Sequence, residues 1–184
     1  MSYCSAVRTT ANDPWNRKYH DSEYGFPILN DHDLFERLML EINQAGLSWL
    51  TILKKREGFR AAYAGFDVAS VARFNEMDRA RLLADVSIIR NRLKVDAAIH
   101  NARVVQGLAQ QHGGFGAWLD AAHPLSLEQW GKLFKKTFRF TGGEIVREFL
   151  VSTGYLPHAH DEDCPVYRRV LKLKPAWTRT RPKH

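Results

Sequence analysis

The sequence predicts an all-α protein. Apolar residues recur at helical spacing through most of the chain between Asp31 and Thr153, capping residues and glycines punctuate these runs, and no segment sustains the two-residue alternation of a strand. Short apolar runs such as Phe138 to Phe140 are too brief to stand against so many helices. No internal repeat and no low-complexity segment interrupts the pattern.

The elements follow in order. Residues 1–30 carry Pro14, Gly25 and Pro27 and keep no sustained period, so they read as an arm; Trp15, Tyr19, Tyr24 and Phe26 are too many aromatics for a free tail and should pack on the body. A helical body is expected over 31–171. It opens with Leu34, Phe35, Leu38, Met39 and Ile42 on one face, behind a cap at Asn30 or Asp31. Helices are then expected over 47–56 and 58–64, a short one from Asp67 through Phe74, and another over 78–85 that buries Leu82 and Leu83. A hairpin over 86–94 leads into a long helix with Val95, Ile99, Ala102 and Val105 in register, ended by Gly113 and Gly114. Two more helices cover 126–137 and 143–153. The remaining residues, 172–184, read as a basic, disordered tail.

At 184 residues the chain can bury one substantial core, and it is read as a single unit. No stretch is apolar enough to cross a membrane, and the N-terminus carries no apolar export signal, so a cytoplasmic location is expected. A formal net charge of +7 favours polyanionic partners, nucleic acid foremost, although part of the excess lies in the tail. The two cysteines, Cys4 and Cys164, stand far apart; in a reducing compartment they are free thiols or metal ligands sooner than a disulfide.

The segment Glu41 to Leu50, EINQAGLSWL, concentrates the chemistry. Glu41 lies seven residues after Leu34 and three after Leu38, so a carboxylate shares their apolar face and points inward. A glycine turn and Trp49 follow closely, and an ionisable group beside a flat ring at a bend makes a pocket for a planar polar ligand. A buried carboxylate paired with an arginine is the plainer alternative.

Three cations, Arg90, Arg92 and Lys94, crowd the start of the long helix, where the helix dipole disfavours positive charge. Phosphate is the natural compensation, since helix N-termini also offer free N–H groups. A solvated cationic turn is the alternative.

His160 and Cys164 are four residues apart, a spacing that can place both on one ion, with Cys4 and His20 completing a Cys2His2 set suited to structural zinc. His158, Asp161 and Asp163 are competing ligands. Ordinary surface histidines with two free thiols also fit these residues.

Taken together, Tyr19-His-Asp-Ser-Glu-Tyr-Gly25, Leu40-Glu-Ile-Asn-Gln-Ala-Gly-Leu-Ser-Trp49, Ile52-Leu-Lys-Lys-Arg-Glu57, Ile88-Ile-Arg-Asn-Arg92 and His160-x3-Cys164 span nearly the whole chain. In that order they resemble the DNA-3-methyladenine glycosylase I family of the helix-hairpin-helix glycosylase superfamily. The resemblance implies an all-α helix-hairpin-helix glycosylase fold whose terminal segments are joined by zinc on Cys4, His20, His160 and Cys164. It implies monofunctional hydrolytic excision of N3-methyladenine from alkylated double-stranded DNA, without lyase chemistry. Glu41 and Tyr19 would act on the base, Trp49 and Tyr24 would stack on it, and Gln44 and Leu47 would enter the duplex where it has left. Arg90, Arg92 and Lys94 would hold phosphates, and a monomer would suffice.

Two positions depart from the family pattern. Tyr24 stands where tryptophan is frequent. Ser87 stands where the hairpin commonly has glycine, which a positive φ would make uncomfortable. Two other function classes compete: a non-catalytic binder of bent or damaged DNA, and an enzyme acting on free nucleotides or bases. Glu41, Tyr19 and Trp49 favour catalysis over the first; the hairpin cations and Leu47 favour a polymeric substrate over the second.

Overall fold

The computed structural model describes residues 2–10 and 13–179. Among them the chain forms eleven α-helices and two 3-10 turns, with no strand. The central element is α3 (Asp31–Gln44), which starts where the Asn30 side chain accepts a hydrogen bond from the Asp33 N–H. Leu34, Phe35, Leu38, Met39, Leu40 and Ile42 are all buried, so α3 is covered on nearly every side. Around it pack α4 (Trp49–Ala62), α7 (Arg92–His112), α8 (Phe115–Ala122) and α10 (Gly143–Ser152). Phe59, Phe66, Phe115, Phe134 and Phe149 fill the space between them. Each such side chain contributes roughly 1.5–3 kcal/mol by leaving water.

The expected loop arm is instead two short helices, α1 (Tyr3–Thr9) and α2 (Pro14–Ser22). Ser2 and Asp13 cap them through the N–H groups of Ser5 and Asn16, and Pro14 occupies the first helical position, where its missing N–H costs nothing. Runs of seven and nine residues are too short to display a period, and helices of this length persist through tertiary packing. Packing also accounts for α8 and for α11 (Pro165–Lys172), both absent from the periodic reading.

The helices expected over 47–56 and 58–64 are one element, α4, followed by a 3-10 turn at Ala64–Phe66. Gly58 does not end a helix. A Cβ there would lie 2.7 Å from the Ser87 carbonyl oxygen, so the glycine lets the hairpin approach α4. The hairpin itself joins α6 (Glu76–Ala84) to α7 beside α5 (Val68–Ala72), and α9 (Leu127–Thr137) closes the far side against α10.

The expected basic tail folds back as far as it is described. Ala176 is buried, and the Trp177 N–H donates to the Gly154 carbonyl at 3.2 Å. Residues 180–184 lie outside the described residues. A chain of ion pairs fixes α2 to the body: Arg37 to Glu23 at 3.2 Å, Arg56 to Glu23 at 2.7 Å, and Arg56 to Glu36 at 2.5 Å. No described helix is long and apolar enough to cross a membrane.

Candidate functional site

Four buried side chains from the two ends of the chain converge on one point. Cys4 Sγ lies 3.2 Å from His20 Nε2 and 3.5 Å from His160 Nδ1, the two ring nitrogens are 3.3 Å apart, and Cys164 Sγ is 3.8 Å from His20 Nε2. All four ligand atoms fall within 4.8 Å of one another. A tetrahedron with metal–ligand bonds of about 2.0–2.3 Å has edges in this range.

The far nitrogens are taken: His20 Nδ1 sits 2.7 Å from Asp21 Oδ1 and His160 Nε2 sits 2.7 Å from the Tyr24 carbonyl oxygen. These partners orient each ring with its other nitrogen at the common centre, as around a bound metal. Burial also holds His160 below the ordinary imidazole range, which favours the neutral ligand form. The competing carboxylates face elsewhere: Asp161 accepts from the Ser2 hydroxyl, and Asp163 pairs with Arg8. The set therefore fits a metal ion and would clamp α1 and α2 to the segment before α11.

That clamp positions one wall of a cavity of about 400 Å³. Tyr19 from α2, Tyr24 just after it, Glu41 from α3 and Trp49 from α4 all line the space. The rings form a connected cluster: Tyr19 and Trp49 have centroids 5.0 Å apart, and Tyr3 meets Tyr24 edge-on at 4.9 Å. Arg37 Nη1 donates to the Tyr19 hydroxyl oxygen at 2.8 Å. Guanidinium has no acceptor, so Arg37 does not take up the Tyr19 hydroxyl hydrogen, which has no acceptor among the described residues and can be offered to a ligand.

Glu41 is 4% exposed and forms no ion pair among the described residues. The arginine one turn earlier, Arg37, is committed to Glu23 and Tyr19. Burial pushes the Glu41 carboxyl up to about 8; Arg37 opposes this shift, and Glu148 adds to it. A cationic ligand would supply the missing countercharge. Trp49 Nε1 is a buried donor without a hydrogen-bond partner among the described residues. A second cavity of about 410 Å³ lies on the other side of Tyr19, but Glu23, Arg37 and Arg56 satisfy one another there.

Beyond Glu41 the chain turns sharply. Leu47 N–H donates to the Gln44 carbonyl at 2.7 Å, and Gln44 Nε2 returns a bond to the Leu47 carbonyl at 3.1 Å. Gly46 adopts the positive φ of 81° that closes this turn, and Ser48 caps α4. The Leu47 side chain is left 39% exposed. It shares an open surface groove with Val86, Ile89 and Arg90, so the turn and the hairpin lie on one face.

Arg90 and Arg92 are exposed on this face, but Lys94 is not. Its ammonium is buried on the Asn43 and Ala45 carbonyls at 2.8 and 2.7 Å, which corrects its expected place among phosphate-facing cations. The exposed C-terminal carbonyls of α3 attract a cation, as the end of any helix does. Ser87 does not take a positive φ, so the expected discomfort at that position does not arise.

Sequence reasoning missed several groups at the cavity. Tyr3 enters because it neighbours Cys4, a signal available once Cys4 is taken as a ligand. Glu144, Arg147 and Glu148 line the cavity from α10, whose polar side reads as solvated in isolation. Arg37 was equally silent as the group that orients Tyr19.

A family model for methyladenine glycosylase matches residues 9–126, more than half of the chain. The chain belongs to the methyladenine glycosylase family. Within that family it is 36% identical to DNA-3-methyladenine glycosylase 1 of Escherichia coli, over 91% of this chain and 97% of that one. It is 32% identical to DNA-3-methyladenine glycosylase of Haemophilus influenzae, over 80% and 89%. A crystal structure of 3-methyladenine DNA glycosylase I in complex with 3-methyladenine, carrying a tyrosine-to-phenylalanine substitution, superposes with a TM-score of 0.80 at 31% identity. It covers 90% of this chain and 97% of that one. A glutamate-to-glutamine mutant of the Staphylococcus aureus 3-methyladenine DNA glycosylase I gives a TM-score of 0.79 at 30% identity, with the same coverage.

Proposed function

We propose that this family member is a DNA repair glycosylase that extrudes N3-methyladenine from alkylated double-stranded DNA and excises it hydrolytically, leaving an abasic site. The observation that carries this reading is the convergence of Glu41, buried and without an ion pair among the described residues, with Tyr19, Tyr24 and Trp49 in one cavity. The exposed Leu47 lies one turn beyond it.

A base inside a duplex must leave the stack before an enzyme can act on it. Leu47 and Gln44 would fill the vacated space, while Arg90 and Arg92 would hold the flanking phosphates. N3-methylation makes the base cationic, which strengthens stacking on Trp49 and Tyr24. Glu41 accepts from the exocyclic amine and balances the base's charge; the Tyr19 hydroxyl, oriented by Arg37, adds a directional bond. Water attacks the sugar C1′ as the bond to the base breaks. The bonding electrons pass to the base, which departs neutral, and the water's proton goes to solvent. A cationic leaving group needs little acid catalysis; burial keeps the Glu41 carboxyl protonated up to about 8 in the free protein, and the positive charge of the bound base would draw it into the ionised, accepting form.

We assign the metal at Cys4, His20, His160 and Cys164 as structural zinc, on the donor set and on the hydrogen-bonded far nitrogens. Zinc there supplies a cross-link between the ends of the chain. The protein acts as a monomeric single unit over 1–184 in the cytoplasm.

The test incubates the full chain with methylated duplex DNA and measures released N3-methyladenine and abasic sites. Release that Glu41→Gln reduces more than it reduces duplex affinity supports the reading. Binding without release would make the protein a damage binder, and activity on free nucleotides alone would overturn the polymeric substrate.

A further inference from the structure

A protein with a formal net charge of +7 gathers three carboxylates, Glu41, Glu144 and Glu148, on a single cavity whose described lining includes one arginine, Arg147, and one histidine, His158. Arg147 is divided between two of them, at 3.2 Å from Glu144 and 2.7 Å from Glu148. The cavity wall therefore keeps negative charge that its own residues do not cancel.

Glu148 is held on both oxygens. The Tyr24 hydroxyl donates to Oε2 at 3.2 Å, and Arg147 faces Oε1. Arginine donates only, so both oxygens act as acceptors. Burial keeps the Tyr24 phenol in its protonated, donating form. The pair uses the departure at position 24, because tyrosine places its O–H donor at the far end of the ring, where it meets Glu148, whereas the N–H donor of tryptophan sits on the side of the indole. Glu41, fully buried, resists ionisation in the free protein, whereas the Glu148 side chain keeps 27% exposure and a fixed cationic neighbour.

We propose that Glu148, clamped between Tyr24 and Arg147, is a specificity-determining residue that makes this cavity select bases carrying a delocalised positive charge over neutral purines. The inference rests on the proposed function. Glu41 reads the donor edge of the base, and Glu148 supplies the standing negative charge that a neutral base cannot use. A neutral purine would enter beside this charge without compensating it. A ring-alkylated purine cation would compensate it while stacking on Tyr24, whose orientation the same carboxylate fixes.

The experiment titrates the full chain with two small probes that carry a methyl group where the sugar would be: the permanently cationic 3,9-dimethyladeninium and the neutral 9-methyladenine. Glu148→Gln should weaken binding of the cation about ten-fold and leave the neutral probe within about two-fold. Glu148→Asp should restore part of the preference, and Tyr24→Phe, which keeps the ring and loses the donor, should reduce it. Retained binding of the neutral probe shows that each variant is folded. Equal loss for both probes would make Glu148 merely structural, and an unchanged ratio would place the charge selection elsewhere; either overturns the proposal. Base release from methylated duplex by the unaltered protein is measured alongside. If the unaltered protein releases no base, the function reading fails; if it does so while Glu148→Gln keeps the cation preference, only this inference fails.

Discussion

The ammonium of Lys94 donates to the carbonyl oxygen of Ala45 at 2.7 Å. It donates to Asn43 as well, so one side chain from α7 neutralises the end of α3 where the Leu47 turn begins. Replacing Lys94 by methionine keeps the aliphatic bulk and leaves two carbonyls without their donor. The expected cost is about 1–3 kcal/mol, read as a fall in Tm, together with slower base release from a looser turn. An unchanged Tm would mean that water takes over the donor's role at no loss.

Arg90 and Arg92 are exposed, and Arg92 is only distantly paired with Asp96, at 4.0 Å. Removing both should lower duplex affinity and reduce the slope of log K against log salt by about two, irrespective of sequence. The Lys94 variant should leave that slope alone. Titrations of duplex DNA at several salt concentrations separate the two behaviours.

Gly58→Ala sets two effects against each other. Alanine favours a helix interior by about 1 kcal/mol, but its Cβ would stand 2.7 Å from the Ser87 carbonyl oxygen and 2.8 Å from the Ser87 Cβ. Backbone cannot yield as a flexible side chain does, so the clash should win, with a net loss of about 1–3 kcal/mol. Duplex affinity should fall with it, while binding of free base in the distant cavity persists. A stabilised variant would show that the hairpin is not held against α4.

Glu41 should make stability fall as pH rises. Its carboxyl titrates at about 8 in the folded chain against an ordinary 4.5 when unfolded. Below 4.5 both states hold the proton and the folded state is favoured most. Between 4.5 and about 8 the unfolded chain gives up its proton while the folded chain retains it, so stability is lost across that window and levels off above it. Glu41→Gln carries no such proton. Its Tm advantage over the unaltered protein should therefore widen from acid to mildly alkaline pH, and a constant difference would refute the buried, protonated carboxyl.

Metal analysis should find about one ion per chain, as a closed four-ligand site requires. Cys164→Ser should lose it and lower Tm, and a strong chelator should do the same to the unaltered protein. Because the clamp carries Tyr3, Tyr19 and Tyr24 to the cavity, base release should decline with metal content. A stable, fully active metal-free protein would reject the site.

Helical class was legible in the chain because the spacing of Leu34, Leu38 and Ile42 is a local property, and the same spacing aimed Glu41 inward. The caps at Asn30 and Asp67 and the turn glycine at position 46 were equally local. So were the four metal-ligand candidates, whose chemistry is written in their side chains. Other features depended on neighbours distant in sequence. Lys94 follows Arg90 and Arg92 in the same cationic run, yet the end of α3 captures it and leaves the other two in solvent. Gly58 looked like a helix boundary until Ser87 came against it. The short helices α1, α2, α8 and α11 carry too little apolar pattern to be recognised and exist because the body holds them. Glu148 resembled any solvated glutamate on α10, and only the packing of that helix beside Tyr24 turned it toward the cavity. Residue type and local period thus determine which groups are present and which face they share, whereas long-range packing decides which of them meet, because desolvation and pairing are set by whatever the fold brings within a few ångströms.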